Sequence, residues 1–465
     1  MMTDNTEKHA RIYKYAIRLV LLMGILFRVI VFSVSPPNNA YDDHLEVVNL
    51  IAKHGFDRPA PFDCWECYQP PLYYYSGAVA FKLAESLGFD IDVRWKFVQA
   101  INLVLSILVV LIFHQILKEF SISDKYKLLY LSFIAILPRD IFTAAMSGND
   151  YMLTFSAIAA LLFYIKSLKQ IKQGNAGKQG LKNFVLLLLF SLWGSLSKQH
   201  GILLFMLPFS IVGLYVLNKQ KKWAFRVLTP LFLFTVIASF SEEAWKHSQT
   251  GHFLVSNQHY YDYADNQFPG SLDQVEFFSF KLMSIFDDPF ISDETAVSFP
   301  TELFARTFFD YEWRFFSPQI PVTNLVGKTA YVIGVLWLIY FIWTTIQGGS
   351  IQLKRVAKGE VNYSMTIGYL MPFALVALYF AVPVIQTYRY PYFSSMKSMF
   401  MLPGIVIFIA MHSLLSKRIE LSASFSALFT ILNLAYGIFL TAVVYIFLEI
   451  SVSHLYGPMW GGHML

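Results

Sequence analysis

Apolar runs of about twenty residues recur along the whole chain, and an α-helix needs about that many to cross a hydrocarbon core of roughly 30 Å. The runs predict spans at 12–34, 96–117, 127–145, 150–167, 182–197, 201–218, 223–241, 327–346, 363–383, 395–414 and 424–449. Most of the polar connections between them are short. Two are long, 35–95 and 242–326. They divide the chain into an N-terminal transmembrane module (1–241, with the loop 35–95 inside it), a second large loop (242–326) and C-terminal helices (327–465).

Shorter periodicities lie inside the two loops. Leu45, Val48, Ile51 and Ala52 fall on one face of Asp42 to His54, which predicts a short amphipathic helix lying on the membrane. Leu72 to Leu87 predicts a second, with Pro70 and Pro71 at its start. A third is expected near Ser298 to Phe309. The fold class expected is thus an all-α polytopic membrane protein of about 11 transmembrane helices, its two large loops carrying interfacial helices.

Composition agrees. The 465 residues are 56% hydrophobic and only 14% charged, against roughly 25% charged in soluble domains. The first span has no small-residue cleavage site and reads as a retained helix. Six connections are basic: Lys8 to Arg18, Lys118 to Lys127, Lys166 to Lys182, Lys219 to Arg226, Lys354 to Lys358, and Lys417 with Arg418. They hold 21 of the 36 lysines and arginines and alternate along the chain, so all face one side. The positive-inside rule makes that side cytoplasmic, with the N-terminus on it and both large loops outside.

Candidate chemistry gathers on the other side. Asp42 and Asp43 stand where the chain leaves the first span, and adjacent acids there either do chemistry or cap the following helix. Tyr68 to Tyr75 reads as an aromatic belt at the interface, with a sugar-stacking wall as the other reading. The short outer loops add Arg139, Asp140, Asn149 and Asp150, then Lys198 and His200, then Arg389 and Lys397. Outward cations run against the positive-inside trend and suit a lipid phosphate; the bland reading is snorkelling or pairing with nearby acids. Arg28 lies deeper and is expected to pair with a carboxylate. Cys64 and Cys67 suit a disulfide, or thiols without a role, better than a metal site. His247, His252 and His259 fit no familiar metal spacing.

In order and sidedness these residues resemble the GT-C superfamily of polyprenyl-phosphate-sugar-dependent glycosyltransferases, related to protein O-mannosyltransferases and lipid A aminoarabinose transferases. Asp42-Asp43 is similar to the family's acidic pair after the first helix, usually Asp-Glu, whose first member is the catalytic base. Gln69-Pro70-Pro71-Leu72 resembles its His-Pro-Pro-Leu, with Gln in place of His. Asn149-Asp150 is similar to its second acidic position, Lys198 with Gly201 to its Lys-Gly turn, and Met396-Lys397 to Leu402-Pro403 to a late segment ending in Leu-Pro.

The resemblance implies an inverting sugar transfer at the extracytoplasmic surface of a bacterial inner membrane. The expected catalytic residues are Asp42 as general base and Asp43. Lys198, Arg389 and Lys397 are expected to hold the donor phosphate, and Asp150, Gln69, Tyr73, His200 and Arg139 to bind substrate. The expected partners are a polyprenyl-phosphate sugar donor, a lipid, glycan or protein acceptor and the membrane, with no nucleic acid. No cofactor is required and no metal ligand is assigned, although the paired acids leave room for a divalent ion. The alternative is a transporter or flippase of a lipid-linked or anionic solute, which needs ionisable groups near mid-bilayer.

Overall fold

The computed structural model describes residues 2–37, 43–174, 177–255, 273–360, 363–389, 397–417, 419 and 422–455. These form helices joined by turns, with no strand among the described residues. Among the described residues ten helices are long and apolar enough to cross a membrane. They lie in α1 (Met2–Val34), α4 (Ile91–Glu119), α7 (Asp150–Lys172), α8 (Lys178–Ser197), α9 (Met206–Leu217, entered through a 3-10 turn at Gln199–Phe205), α10 (Lys221–Thr250), α12 (Pro321–Ala357), α13 (Tyr363–Arg389), α14 (Leu402–Ser416) and α15 (Ala423–Leu455). The remaining labels are α2 (His44–Lys53), α3 (Leu72–Ser86), α5 (Asp124–Ile136), α6 (Pro138–Ala144) and α11 (Phe299–Phe308).

The span expected at 127–145 is not one helix. Proline has no N–H to donate and forces the residue before it out of the helical region, so Leu137 sits at φ −56°, ψ 110° between α5 and α6. The two pieces still link the two faces of the molecule. At the start of α5 the Tyr126 hydroxyl donates to the Ile419 carbonyl, and Lys417 Nζ donates to the Phe120 carbonyl at 3.1 Å. At about 1.5 Å per residue, the 13 and 7 helical residues together reach roughly 30 Å.

Pro138 leaves the carbonyls of Ile134 and Ala135 without their helical donors. Arg28 supplies both, each at 3.0 Å, and also donates to the Gly24 carbonyl at 2.8 Å. Its guanidinium forms an ion pair with Asp140, whose other oxygen accepts from the Tyr151 hydroxyl. Arg28 and Asp140 are both fully buried. Gly24 permits the approach, since a Cβ there would lie 2.9 Å from that of Ala135. The expected carboxylate partner of Arg28 is therefore present, and it serves the helix break.

The loop helices form near where the periodicity puts them. Leu45, Val48, Ile51 and Ala52 are the buried face of α2, joined by His44 and Val47. That face rests on α3, where a Cβ at Gly77 would come 2.8 Å from Val48. Tyr73 and Tyr74 are buried under the loop, so they do not form an interfacial belt. Cys64 and Cys67 are joined in a disulfide with Cα atoms 5.1 Å apart.

The helix expected to end near 241 continues to Thr250, where Gly251 at φ 74° closes it. The extension carries Glu242, which accepts two hydrogen bonds from Arg58 at 2.7 and 2.6 Å. The Arg58 guanidinium also lies 3.6 Å over the Trp245 ring. First loop and helix end are thereby fastened together.

Removing one member of a buried ion pair leaves an uncompensated charge, which costs about 3–5 kcal/mol. Arg28→Met is expected to lower the thermal unfolding midpoint in detergent sharply. Arg28→Met/Asp140→Leu should recover part of the loss, and equal midpoints for single and double variants would contradict this role.

Candidate functional site

The site is built on the turn before α7. Gln99 in α4 donates to the carbonyls of Ala145 (2.6 Å) and Pro36 (3.0 Å), while Asn102 donates to those of Met146 (2.8 Å) and Gly148 (2.9 Å). Ser147 Oγ donates to the Pro37 carbonyl at 3.0 Å. The exit of α1 and the start of α7 are thus sewn together.

That turn delivers Asn149 and Asp150, both buried. Asp150 is ion-paired with Lys198, itself only 6% exposed. Lys198 leaves α8 in an extended conformation, φ −154° and ψ 144°, while its amide still donates to Gly194 at 3.1 Å. The Gly201 amide then closes the turn on the Lys198 carbonyl at 2.8 Å. No side chain fits at 201, because a Cβ would lie 2.0 Å from the Gly194 oxygen. The Lys198–Gly201 spacing is therefore a steric requirement for aiming this lysine. The ammonium also lies 4.6 Å from the centre of the Phe400 ring, on the turn Ser398–Met401 that Lys397 opens.

Several polar atoms here are left over. The second carboxylate oxygen of Asp150 and both polar atoms of the Asn149 amide are buried with no hydrogen-bond partner among the described residues. Buried polar groups are nearly always paired, so a cluster of exceptions calls for an explanation.

The first loop closes over the same turn. The Tyr73 hydroxyl is buried beside Gly148 and Ser147 with no hydrogen-bond partner among the described residues, and burial raises its pKa, with Asp150 adding to the rise. The His44 ring lies where a Cβ on Gly148 would meet it at 3.1 Å, and its Nδ1 is 2.8 Å from the Tyr74 hydroxyl. Sequence reasoning missed His44 as part of this site, although it directly follows Asp43.

A second charged layer adjoins Lys397. Arg139 Nε donates to the Arg306 carbonyl at 2.8 Å and its guanidinium lies 3.9 Å from Glu312. Arg306 pairs with both Glu302 (2.5 Å) and Glu312. Burial alone would raise the Glu312 pKa, but Arg306, Arg139, Arg314 and Lys397 outweigh it and hold the group at about 2. Glu302 receives less of this field, and burial pushes it up to about 7 in spite of Arg306. Burial likewise raises Asp310 to about 6 although the Phe315 and Phe316 amides donate to it.

The residues singled out in the sequence therefore fall into three groups. Asp150, Lys198 and Tyr73 converge at the turn before α7, with His200 within electrostatic reach of the first two and edge-on to Tyr379 at 6.0 Å. Arg139 and Lys397 face the acids of the second loop. Gln69 lies with Arg58, whose guanidinium donates to its carbonyl at 3.3 Å, and among the described residues no hydrogen bond joins it to the Asp150–Lys198 pair. Asp42 and the side chain of Arg389 lie outside the described residues. Asp43 occupies the capping position of α2, yet its carboxylate makes no capping hydrogen bond. Both cysteines are consumed by their disulfide, and among the described residues no three His, Cys, Asp or Glu side chains group as a metal site.

These features describe a helical protein suited to spanning a membrane, with a buried polar site at the rim opposite its basic connections. The chain is similar to the solved structure of the Archaeoglobus fulgidus oligosaccharyltransferase in its apo form, at 12% identity and a TM-score of 0.49 over 95% of this chain and 56% of that one. It is also similar to ArnT from Cupriavidus metallidurans in the apo state, at 13% identity and a TM-score of 0.40 over 85% and 77% of the two chains. A third is the S. cerevisiae protein O-mannosyltransferase Pmt1-Pmt2 complex bound to the sugar donor, at 16% identity and a TM-score of 0.37 over 57% and 35%. The chain spans a little over half the length of the oligosaccharyltransferase. No protein-family model matches it, and no curated protein does.

The raised carboxylates set a pH dependence. A group that binds its proton more tightly when folded stabilises fully below its unfolded pKa, and that stability is lost as pH rises through the folded value. For Glu302 the window runs from 4.5 to about 7, and Asp310 acts in the same sense up to about 6. The unfolding midpoint is expected to fall across this range, and Glu302→Gln should make the fall shallower. An unchanged slope in that variant would show that Glu302 does not hold the proton.

Proposed function

We propose that this chain is an integral membrane glycosyltransferase that moves a sugar from a polyprenyl-phosphate donor to an acceptor hydroxyl or amine. The observation that carries the reading is the buried Lys198–Asp150 pair with unspent hydrogen-bonding capacity beside it on Asp150 and Asn149. The surplus sits on two adjacent residues of one turn beside a cation, and a sugar presents donors and acceptors that would absorb it. The order of Asp42-Asp43, Gln69-Pro70-Pro71, Asn149-Asp150 and Lys198 with Gly201 along the chain supports the same reading.

In this mechanism the donor phosphate takes Lys198 from Asp150, with Lys397 and Arg389 as further phosphate ligands. Asp150, Asn149 and Tyr73 orient the sugar. Asp42 accepts the proton as the acceptor oxygen or nitrogen forms its bond to the anomeric carbon and the bond from that carbon to the phosphate oxygen breaks. The electron pair leaves on the phosphate, where Lys198 stabilises the growing charge in a site shielded from water. The leaving group is already a weak base, so one carboxylate base suffices, and attack opposite the phosphate inverts the anomeric centre. Asp43 orients the acceptor. The lipid tail lies among the spans, and the site faces away from the cytoplasm by the charge bias of the loops.

The test is transfer from a panel of radiolabelled polyprenyl-phosphate sugars by the purified protein. Asp42→Asn is expected to bind donor normally and to lose transfer by roughly 10²–10⁴-fold. Lys198→Ala should weaken donor binding by about 10- to 100-fold, the worth of a charge-assisted hydrogen bond. Wild-type transfer by Asp42→Asn would remove it as the base, and unchanged donor affinity in Lys198→Ala would remove the phosphate site.

A further inference from the structure

At the opposite rim lies a cavity of about 500 Å³ that the transfer chemistry does not use. Phe373, Met411, Leu414 and Leu415 line its interior, and α13 and α14 form its main walls. Leu370, at its side, is 57% exposed, so the cavity opens laterally to the surface that faces lipid. Its mouth is charged. Lys169, Lys172, Arg355 and Lys417 surround it with Glu119 and Glu360, and four cations against two acids leave a net charge of +2.

The existing pairs do not exhaust these cations. Lys169 meets Glu119 at 2.6 Å and Arg355 meets Glu360 at 3.2 Å. Among the described residues Lys417 donates to a backbone carbonyl and to no acid, and Lys172 is exposed with no acidic partner. The Ser121 backbone, at φ 52°, turns the chain across the same mouth.

We propose that this cavity binds one anionic lipid, its phosphate among Lys169, Lys172, Arg355 and Lys417 and the start of one acyl chain against Phe373, Met411 and Leu414. The arrangement matches an amphiphile in both halves: an apolar slot with an exposed leucine at its side, and a cationic rim on the side of the basic connections. A soluble phosphate would use the rim and leave the slot unexplained. A zwitterionic lipid would fill the slot without satisfying the excess positive charge. The site lies on the side of the basic connections, so the lipid belongs to the leaflet those connections face. It is separate from the Lys198–Asp150 site, and its occupancy does not depend on the transfer reaction.

The experiment is native mass spectrometry on the delipidated full-length protein in detergent, titrated with phosphatidylglycerol, phosphatidylcholine or inorganic phosphate. The expected result is one retained phosphatidylglycerol per chain, with phosphatidylcholine weaker by on the order of tenfold. Lys172→Gln/Arg355→Gln, which removes two of the four rim cations, should weaken phosphatidylglycerol by a similar factor and leave phosphatidylcholine unchanged. Leu370→Trp, which narrows the lateral opening, should weaken phosphatidylglycerol without changing phosphate binding. Equal affinity for the two lipids would mean annular lipid only and overturn the proposal. So would an unaltered phosphatidylglycerol affinity in either variant, or displacement of the lipid by inorganic phosphate at comparable concentration.

Discussion

A charge inside a membrane protein must be matched, because the surrounding medium screens it weakly and desolvation is costly. Two buried pairs in this chain meet that constraint in opposite ways. Arg28 spends both terminal nitrogens: three backbone carbonyls and Asp140 take them, the Tyr151 hydroxyl donates to the other Asp140 oxygen, and only the Arg28 Nε is left over. Lys198 and Asp150 are matched in charge but not in hydrogen bonds, since one carboxylate oxygen and the neighbouring Asn149 amide remain over. The first pair holds a helix break together. The second keeps unspent hydrogen-bonding capacity on two adjacent residues, and the proposed function rests on that difference.

The surroundings explain why the second pair can persist. Gln99 and Asn102 fix the turn on one side, and the glycine at 201 fixes the lysine on the other. The first loop lies over both through Tyr73 and His44 and is held from outside by Arg58 and Glu242. Preorganised charge in a shielded pocket is what stabilisation of a departing phosphate demands. The acids and arginines of the second loop form a further network that Lys397 joins.

Much of the fold was legible because length and periodicity are set by the bilayer and by the helix repeat. The buried face of α2 was readable from Leu45, Val48, Ile51 and Ala52, and the pairing of Arg28 from its depth in an apolar span. The break at Leu137 was readable in principle, since Pro138 announces it, but the apolar run on both sides hid it. Tyr73 and Tyr74 misled because tyrosine in an interfacial loop usually marks a belt, and nothing local says that α2 will cover them. Of the site, Asp150, Lys198 and Tyr73 could be named from motif order, whereas their convergence depends on contacts between distant segments. His44 carried no spacing signal at all. Its role follows from Gly148, whose missing side chain makes room for the imidazole.

The most direct test is an experimental structure of the protein with a polyprenyl phosphate bound. Lys198 Nζ should lie within about 2.7–2.9 Å of a phosphate oxygen, with Asp150 released toward Asn149 and the lipid tail leaving sideways between spans. A phosphate bound elsewhere, with the Lys198–Asp150 pair intact and its surplus polar atoms still turned inward, would contradict the account.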